Sequence, residues 1–204
     1  TVKQGKLVAF VCCPSNDMLM RYEDHTDTEV GQKAEAWTEQ FLSEWAQSER
    51  GQKETLQGHF SMDFILSDKG DLFPIECNPR IHTAICLLRL NPTFAHAYLS
   101  DTIEGIAKPP AGTKPCSWLG HDLPALSLAA VLPKTEVVHP YWEGMQVNEL
   151  KWDTYDPTFD PEDPLPFFGL YHVQWTWIMM KQLLWKRKKW VRINASTARV
   201  FECP

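Results

Sequence analysis

The sequence predicts an α+β protein in which short, mostly antiparallel strand pairs carry packed helices. Three observations support this. Val30, Ala34, Trp37, Phe41 and Trp45 recur at spacings of three and four, which is one face of an amphipathic helix. Two apolar runs between His59 and Cys77 flank Ser67-Asp68-Lys69-Gly70-Asp71, the pattern of a β-hairpin. Lys6 to Cys13 is a short apolar run rich in β-branched and aromatic residues, which reads as a buried strand.

In chain order, Thr1 to Gly5 reads as a turn between strands. The chain has no initiator methionine and is expected to be a piece of a longer protein. Pro14-Ser15-Asn16-Asp17 breaks the first strand. Thr28 or Asp27 caps the helix through 30–45, and Gly51 lies beyond its end. After the hairpin, Pro79 separates the second strand from a helix expected from about Thr83 to Leu90, with another around Thr93 to Gly105. Lys108 to Pro115 is a linker or loop. A helix is expected near Ala125–Val131. Asp153 to Pro166, rich in proline and acids, is a surface loop. Phe167 to Trp185 is apolar and aromatic, four basic residues follow at 186–189, and a strand closes the chain. The expected division is 1–107 for a core carrying the hairpin and 108–204 for an extension packed on it.

With 204 residues, 44% of them apolar, the chain can bury a sizeable core. Its net charge of −6 argues against nucleic-acid binding, which needs a basic surface. The six cysteines form no C-x-x-C pair. They read as reduced thiols in a cytoplasmic protein without a signal peptide.

The hairpin carries the chemistry. With Lys69-Gly70 at the centre of a type I′ turn, paired residue numbers sum to 139. Asp68 then faces Asp71, Leu66 faces Phe73, and Asp63 faces Glu76. Directly paired residues share a face, and Asn78, two positions past Glu76, shares it too. Opposed carboxylates repel unless a cation lies between them. Two carboxylates and an amide oxygen are hard ligands, suited to Mg²⁺ or Mn²⁺. Arg80 offers a forked donor to phosphate or carboxylate. The same acids fit a solvated hairpin face equally well, and a one-residue slip would separate them.

Asp63 and Glu76-Cys77-Asn78-Pro79-Arg80 resemble the last two strands of the ATP-grasp superfamily. There an acid on one strand and a Glu-x-Asn on the next bind the magnesium ions that bridge ATP phosphates. The segments AFVCCPSNDMLMRYE, GHFSMDFI, PIECNPRIHTAI, WLGHDL and WVRINASTARVFE are similar to the ATP-grasp ligases that make mycosporine-glycine and to their fungal and algal relatives. The resemblance runs from Ala9 to Glu202. It implies the C-terminal lobe of an ATP- and Mg²⁺-dependent ligase, with Asp63, Glu76 and Asn78 as metal ligands and Arg80 on the phosphoryl group. Ile75, on the face opposite Glu76, would pack near the adenine. The reaction implied is phosphorylation of a carboxylate or a vinylogous acid such as deoxygadusol, followed by displacement of phosphate by an amine such as an amino acid. Where D-alanine ligases carry an arginine two residues before the first acid, this chain has Ser61; Arg80 or Arg21 would supply the cation. The ten glycines are dispersed and form no phosphate-covering loop. The partner implied is an N-terminal lobe of the same protein, without which this piece is expected to bind ATP weakly and not to turn over.

His82 and Thr83 follow Arg80 and are placed to line a substrate pocket, although backbone bonding is the commoner fate of a residue such as His82. His59 reads as structural, and His121-Asp122 as a hydrogen-bonded turn. Cys77 faces away from the ligands and is expected to pack. The segment 167–190 reads as a buried aromatic helix in preference to a membrane-surface helix, and it is too polar to span a bilayer.

Overall fold

The computed structural model describes residues 1–15, 20–100, 102, 105–118, 120 and 154–187. The chain divides into two compact units, one of Thr1–Ser15 with Tyr22–Pro115, the other of Asn16–Arg21 with Cys116–Pro204. Short antiparallel sheets and helices make it α+β.

In the first unit, strands β1 (Val2–Lys3) and β2 (Lys6–Leu7) pair antiparallel. Gln4 and Gly5 both have positive φ, 50° and 74°, as a two-residue type I′ turn demands. Regular pairing ends at Leu7, well short of the strand expected to Cys13. Beyond it the chain leaves the antiparallel pair and makes a parallel bridge from Ala9 to Ala107. The Phe10 amide donates to the Ala107 carbonyl, and the Ala107 amide donates to that of Val8, both at 2.9 Å. Val8 and Ala9 are buried there.

Strand β3 (Arg21–Tyr22) comes next, followed by helix α1 (Glu29–Gln47). Thr28 is its cap, and the Thr28 hydroxyl accepts from the Gly31 amide at 3.2 Å. The buried stripe is Gly31, Ala34, Thr38 and Leu42. It lies beside the expected stripe and shares only Ala34 with it. Thr38 tolerates burial because its hydroxyl donates to the Ala34 carbonyl at 2.7 Å. Trp37, Phe41 and Trp45 are half-buried and pack on one another, with Trp37 and Phe41 stacked at 5.5 Å. Gly31 is required by close approach, since a Cβ there would meet the His25 carbonyl oxygen at 2.1 Å.

Among the described residues, two small apolar clusters lie in the core of this unit. Val2, Leu7 and Leu42 gather Phe10, Phe41, Leu56, Phe60 and Ile106. Ala9, Leu88 and Ala107 gather Val11, Ile85, Phe94 and Ala97. Strands β4 (Ser61–Leu66) and β5 (Leu72–Asn78) form the hairpin. The helix expected from Thr83 to Leu90 is a 3₁₀ turn, Thr83–Leu88. It is short and Asn91 already caps the next helix, so it closes i→i+3 bonds as connectors do. Helix α2 (Pro92–Leu99) begins where the Asn91 side chain accepts from the Thr93 amide at 2.8 Å. It stops short of Gly105 because Ser100 turns extended at its C-cap.

In the second unit, strand β6 (Cys116–Ser117) lies beside Tyr155. The Ser117 amide donates to the Tyr155 carbonyl at 2.9 Å. Asp156 is buried and accepts from both the amide and the hydroxyl of Thr158. The surface loop expected to Pro166 ends two residues sooner, at Pro164, and Pro166 sits in the first helical turn. A helical run then spans 165–185: α over Leu165–Phe168, π over Gly169–Trp175, α over Thr176–Met180 and π over Lys181–Trp185. This run does not bear out the expected buried helix. Tyr171 is buried, but Leu165, Phe168, Val173, Trp177, Met180, Leu184 and Trp185 are exposed. The helix expected near 125–131, the His121-Asp122 turn and the closing strand lie outside the described residues.

Candidate metal and phosphate site

The hairpin turn is longer than the two residues expected. Gly70 has φ +82°. Its amide donates to the Ser67 carbonyl, and the Ser67 amide donates to that of Asp71, both at 2.9 Å. The loop is therefore Asp68-Lys69-Gly70, a three-residue hairpin loop with its left-handed residue last. The Ser67 hydroxyl accepts from the amides of Lys69 and Asp71.

This loop shifts the register by one. Leu66 pairs with Leu72, Ile65 with Phe73 and Phe64 with Pro74. The expected pairs Asp68–Asp71 and Leu66–Phe73 do not form. A β-bulge at Ile75 then adds one residue to β5. Past it Asp63 pairs with Glu76, Met62 with Cys77 and Ser61 with Asn78. Asp63 thus stands opposite Glu76 as expected, through a loop and a bulge whose effects cancel.

The bulge also changes which side chains share the acids' face. Strict alternation puts Phe73, three residues from Glu76, on the other side. Its pairing with Ile65, two residues from Asp63, brings it to the acid side. One face therefore carries Ile65 and Phe73, then Asp63 and Glu76, then Ser61 and Asn78. Ile75, expected on the face opposite Glu76, is the unpaired bulge residue, is 61% exposed and falls outside the alternation. The opposite face is backed by α1. Phe64 meets Trp37 edge-on at 5.2 Å, and the Lys33 ammonium donates to the Gly70 carbonyl at 2.9 Å while pairing with Glu29.

Past Asn78 the chain turns sharply. The Arg80 amide donates to the Asn78 carbonyl at 2.8 Å around Pro79, and the Arg80 side chain is exposed. His82 Nδ1 accepts from the Ala84 amide at 3.1 Å, capping the 3₁₀ turn. Backbone bonding is thus observed for His82. Its ring meets Tyr22 edge-on at 5.4 Å, and the Tyr22 hydroxyl bonds to that of Thr83. Burial lowers the His82 pKa; the Asp63 charge raises it and Arg80 lowers it. His82 therefore lies within electrostatic reach of both Asp63 and Arg80. Tyr22 was missed from sequence because only the fold brings it to His82. The Ile65–Phe73 pair was missed because the bulge has no local sequence signal.

The cysteines near Asp63 are not metal-ready thiolates. Burial first, then Cys12, Asp24 and Asp63, push Cys13 up to about 12. Partial burial of the sulfur, then the Asp63 charge, raise Cys77. Cys77 pairs with Met62 and is exposed, so the packing expected for it does not occur. His59 is structural. Its ring stacks on Tyr98 at 5.2 Å and bonds to the hydroxyls of Thr1 and Tyr98 at 3.0 Å. Arg21 belongs to the second unit.

No protein-family model, curated protein or solved structure matches the chain. The site's chemistry therefore rests on its donors. Among the described residues no three His, Cys, Asp or Glu side chains gather as a metal site. The hairpin set has two carboxylates, and its third donor is an amide. Opposed Asp63 and Glu76, with Asn78 next along the same face, fit a hard divalent cation that keeps part of its water shell.

Proposed function

We propose that the chain supplies the metal- and phosphate-binding part of an ATP- and Mg²⁺-dependent ligase that joins an acid to an amine. The observation that carries this is the direct pairing of Asp63 with Glu76, with Asn78 on the same face and Arg80 two residues beyond. Asp63, Glu76 and Asn78 would hold Mg²⁺ or Mn²⁺, which when bound neutralises the charge of ATP phosphates. The exposed Ile65 and Phe73 extend that face with an apolar surface suited to the nucleotide base. Arg80 would fork onto the transferred phosphoryl group. His82 and Thr83, two and three residues on, would border the acid substrate, a carboxylate or a vinylogous acid.

In this reading the acid's oxygen attacks the γ-phosphorus and ADP leaves. The amine nitrogen then attacks the activated carbon, the C–O bond breaks, phosphate leaves and the nitrogen loses a proton. The chain's contribution is positioning and charge stabilisation. Donors covering the phosphates would come from outside this chain, whose glycines form no such loop. The test is thermal stabilisation of the chain by Mg²⁺-ATP. Stabilisation is expected for the parent and lost in Glu76→Gln and Asn78→Ala. Equal stabilisation in all three would sink the site assignment.

A further inference from the structure

The helical run 165–185 presents two apolar stripes. Phe167, Tyr171 and Trp175, at steps of four, face inward and contact one another at 5.1 and 6.2 Å between ring centres. Tyr171 is buried and the other two half-buried. The second stripe is Leu165, Phe168, Val173, Trp177, Met180 and Leu184, at steps of three, five, four, three and four. All six are exposed, Val173 at 68%, Trp177 at 60% and Leu184 at 72%. In a regular α-helix the five-residue step would swing Val173 about 140° from Phe168. The π-turn over Gly169–Trp175, with i→i+5 bonds, winds more slowly and keeps the stripe on one side. Trp185 extends it and is 81% exposed.

Charge is placed at one end. Lys181, Lys186 and Arg187 are exposed and form no ion pair among the described residues. Lys188 and Lys189 follow in sequence. The acids Asp160, Glu162 and Asp163 precede the other end. They stand some 30 Å from Lys186 along a helix of this length, several Debye lengths at physiological salt. The basic end therefore acts independently of them. No helix among the described residues is long and apolar enough to cross a membrane.

We propose that this run docks on an anionic lipid surface, led by its basic C-terminal end, with the exposed stripe and Trp177 and Trp185 seated at the headgroup boundary. A helix with an apolar face and a basic flank binds in this way. The basic cluster is what selects a lipid surface over a second protein: an apolar stripe alone would suit either, but Lys186 and Arg187, adjacent and without an ion pair among the described residues, complement anionic headgroups.

The test is flotation of the full 204-residue chain with phosphatidylcholine vesicles, with and without phosphatidylserine. The chain is expected to float with the anionic vesicles and to detach as salt rises. The double variant Lys186→Glu, Arg187→Glu should lose on the order of tenfold or more in vesicle affinity. The double variant Trp177→Ser, Trp185→Ser should stop floating while keeping the parent's circular dichroism and melting temperature. Failure of the parent to float with anionic vesicles overturns the proposal, as does flotation undiminished in both variants. So does a concentration-dependent dimer that the tryptophan variant abolishes, seen without vesicle binding, because the stripe would then cover a second copy.

Discussion

Asp63 and Glu76 are like charges directly opposed on an exposed strand pair, and such pairs destabilise a sheet. The metal-free chain should therefore gain from losing one of them. Glu76→Gln is expected to raise its stability by about 0.2–1 kcal/mol, while abolishing the extra stability that the proposed site would draw from Mn²⁺ in the parent. Chemical denaturation with and without Mn²⁺ reads both effects. A Glu76→Gln chain no more stable than the parent without metal would mean that the two carboxylates do not oppose each other. His82 carries a second prediction at this scale. Its Nδ1 accepts the Ala84 amide, which requires the unprotonated nitrogen, and burial lowers its pKa below the ordinary value. The unfolded chain thus takes up a proton at a higher pH than the folded one. Stability is complete above the ordinary histidine range and falls as pH drops through it. His59, also lowered mainly by burial, adds to the same slope. His82→Asn, whose side-chain oxygen can accept the Ala84 amide, should flatten part of the loss between about pH 8 and pH 5. An unchanged slope would remove His82 from the account.

At the scale of elements, the hairpin shows what a sequence does and does not disclose. Its existence, its turn region and the Asp63–Glu76 pairing are legible from two apolar runs around a glycine turn. The path to that pairing is not. An odd interval between the acids fits a two-residue loop with regular strands, or a three-residue loop with one bulge. Local sequence does not separate these, because both use Gly70 in a left-handed conformation. Deleting Ile75 distinguishes them. With the bulge, Phe64 still pairs with Pro74 and Asp63 with Glu76, so the Mn²⁺ response survives. Without it, Glu76 would slide opposite Phe64 and the response would vanish. Helix α1 was legible in extent and cap, whereas its buried stripe was displaced toward Gly31, Thr38 and Leu42. Large aromatics look like core in a periodicity reading. Here they are half-buried because the helix turns its small residues toward the closest backbone, as the Gly31 contact shows.

At the scale of the molecule, the α+β class follows from the alternation of short runs and helical spacing, and the structure has it. The chain divides into units interleaved in sequence, since residues 16–21 group with 116–204. Such interleaving depends on long-range contacts, for which a linear reading has no marker. The exposure of the run 165–185 has the same origin. Its composition is that of a core helix, and only the fold shows that one apolar stripe is left outside. The π-turns that align this stripe are equally invisible to a count of residues at α spacing.

Among the described residues the hairpin is backed by α1, through Trp37 on Phe64 and Lys33 on the Gly70 carbonyl. No aromatic contact or ion pair among them backs its acid-bearing face in the same way. The lifetime of the closed hairpin is therefore borrowed from α1. Amide protons of β4 and β5 should exchange with solvent no more slowly than those of the helix behind them. Any event that frays α1 near Lys33 and Trp37 loosens the acids together, so under the proposed function the helix would govern the site's hold on a cation without touching it.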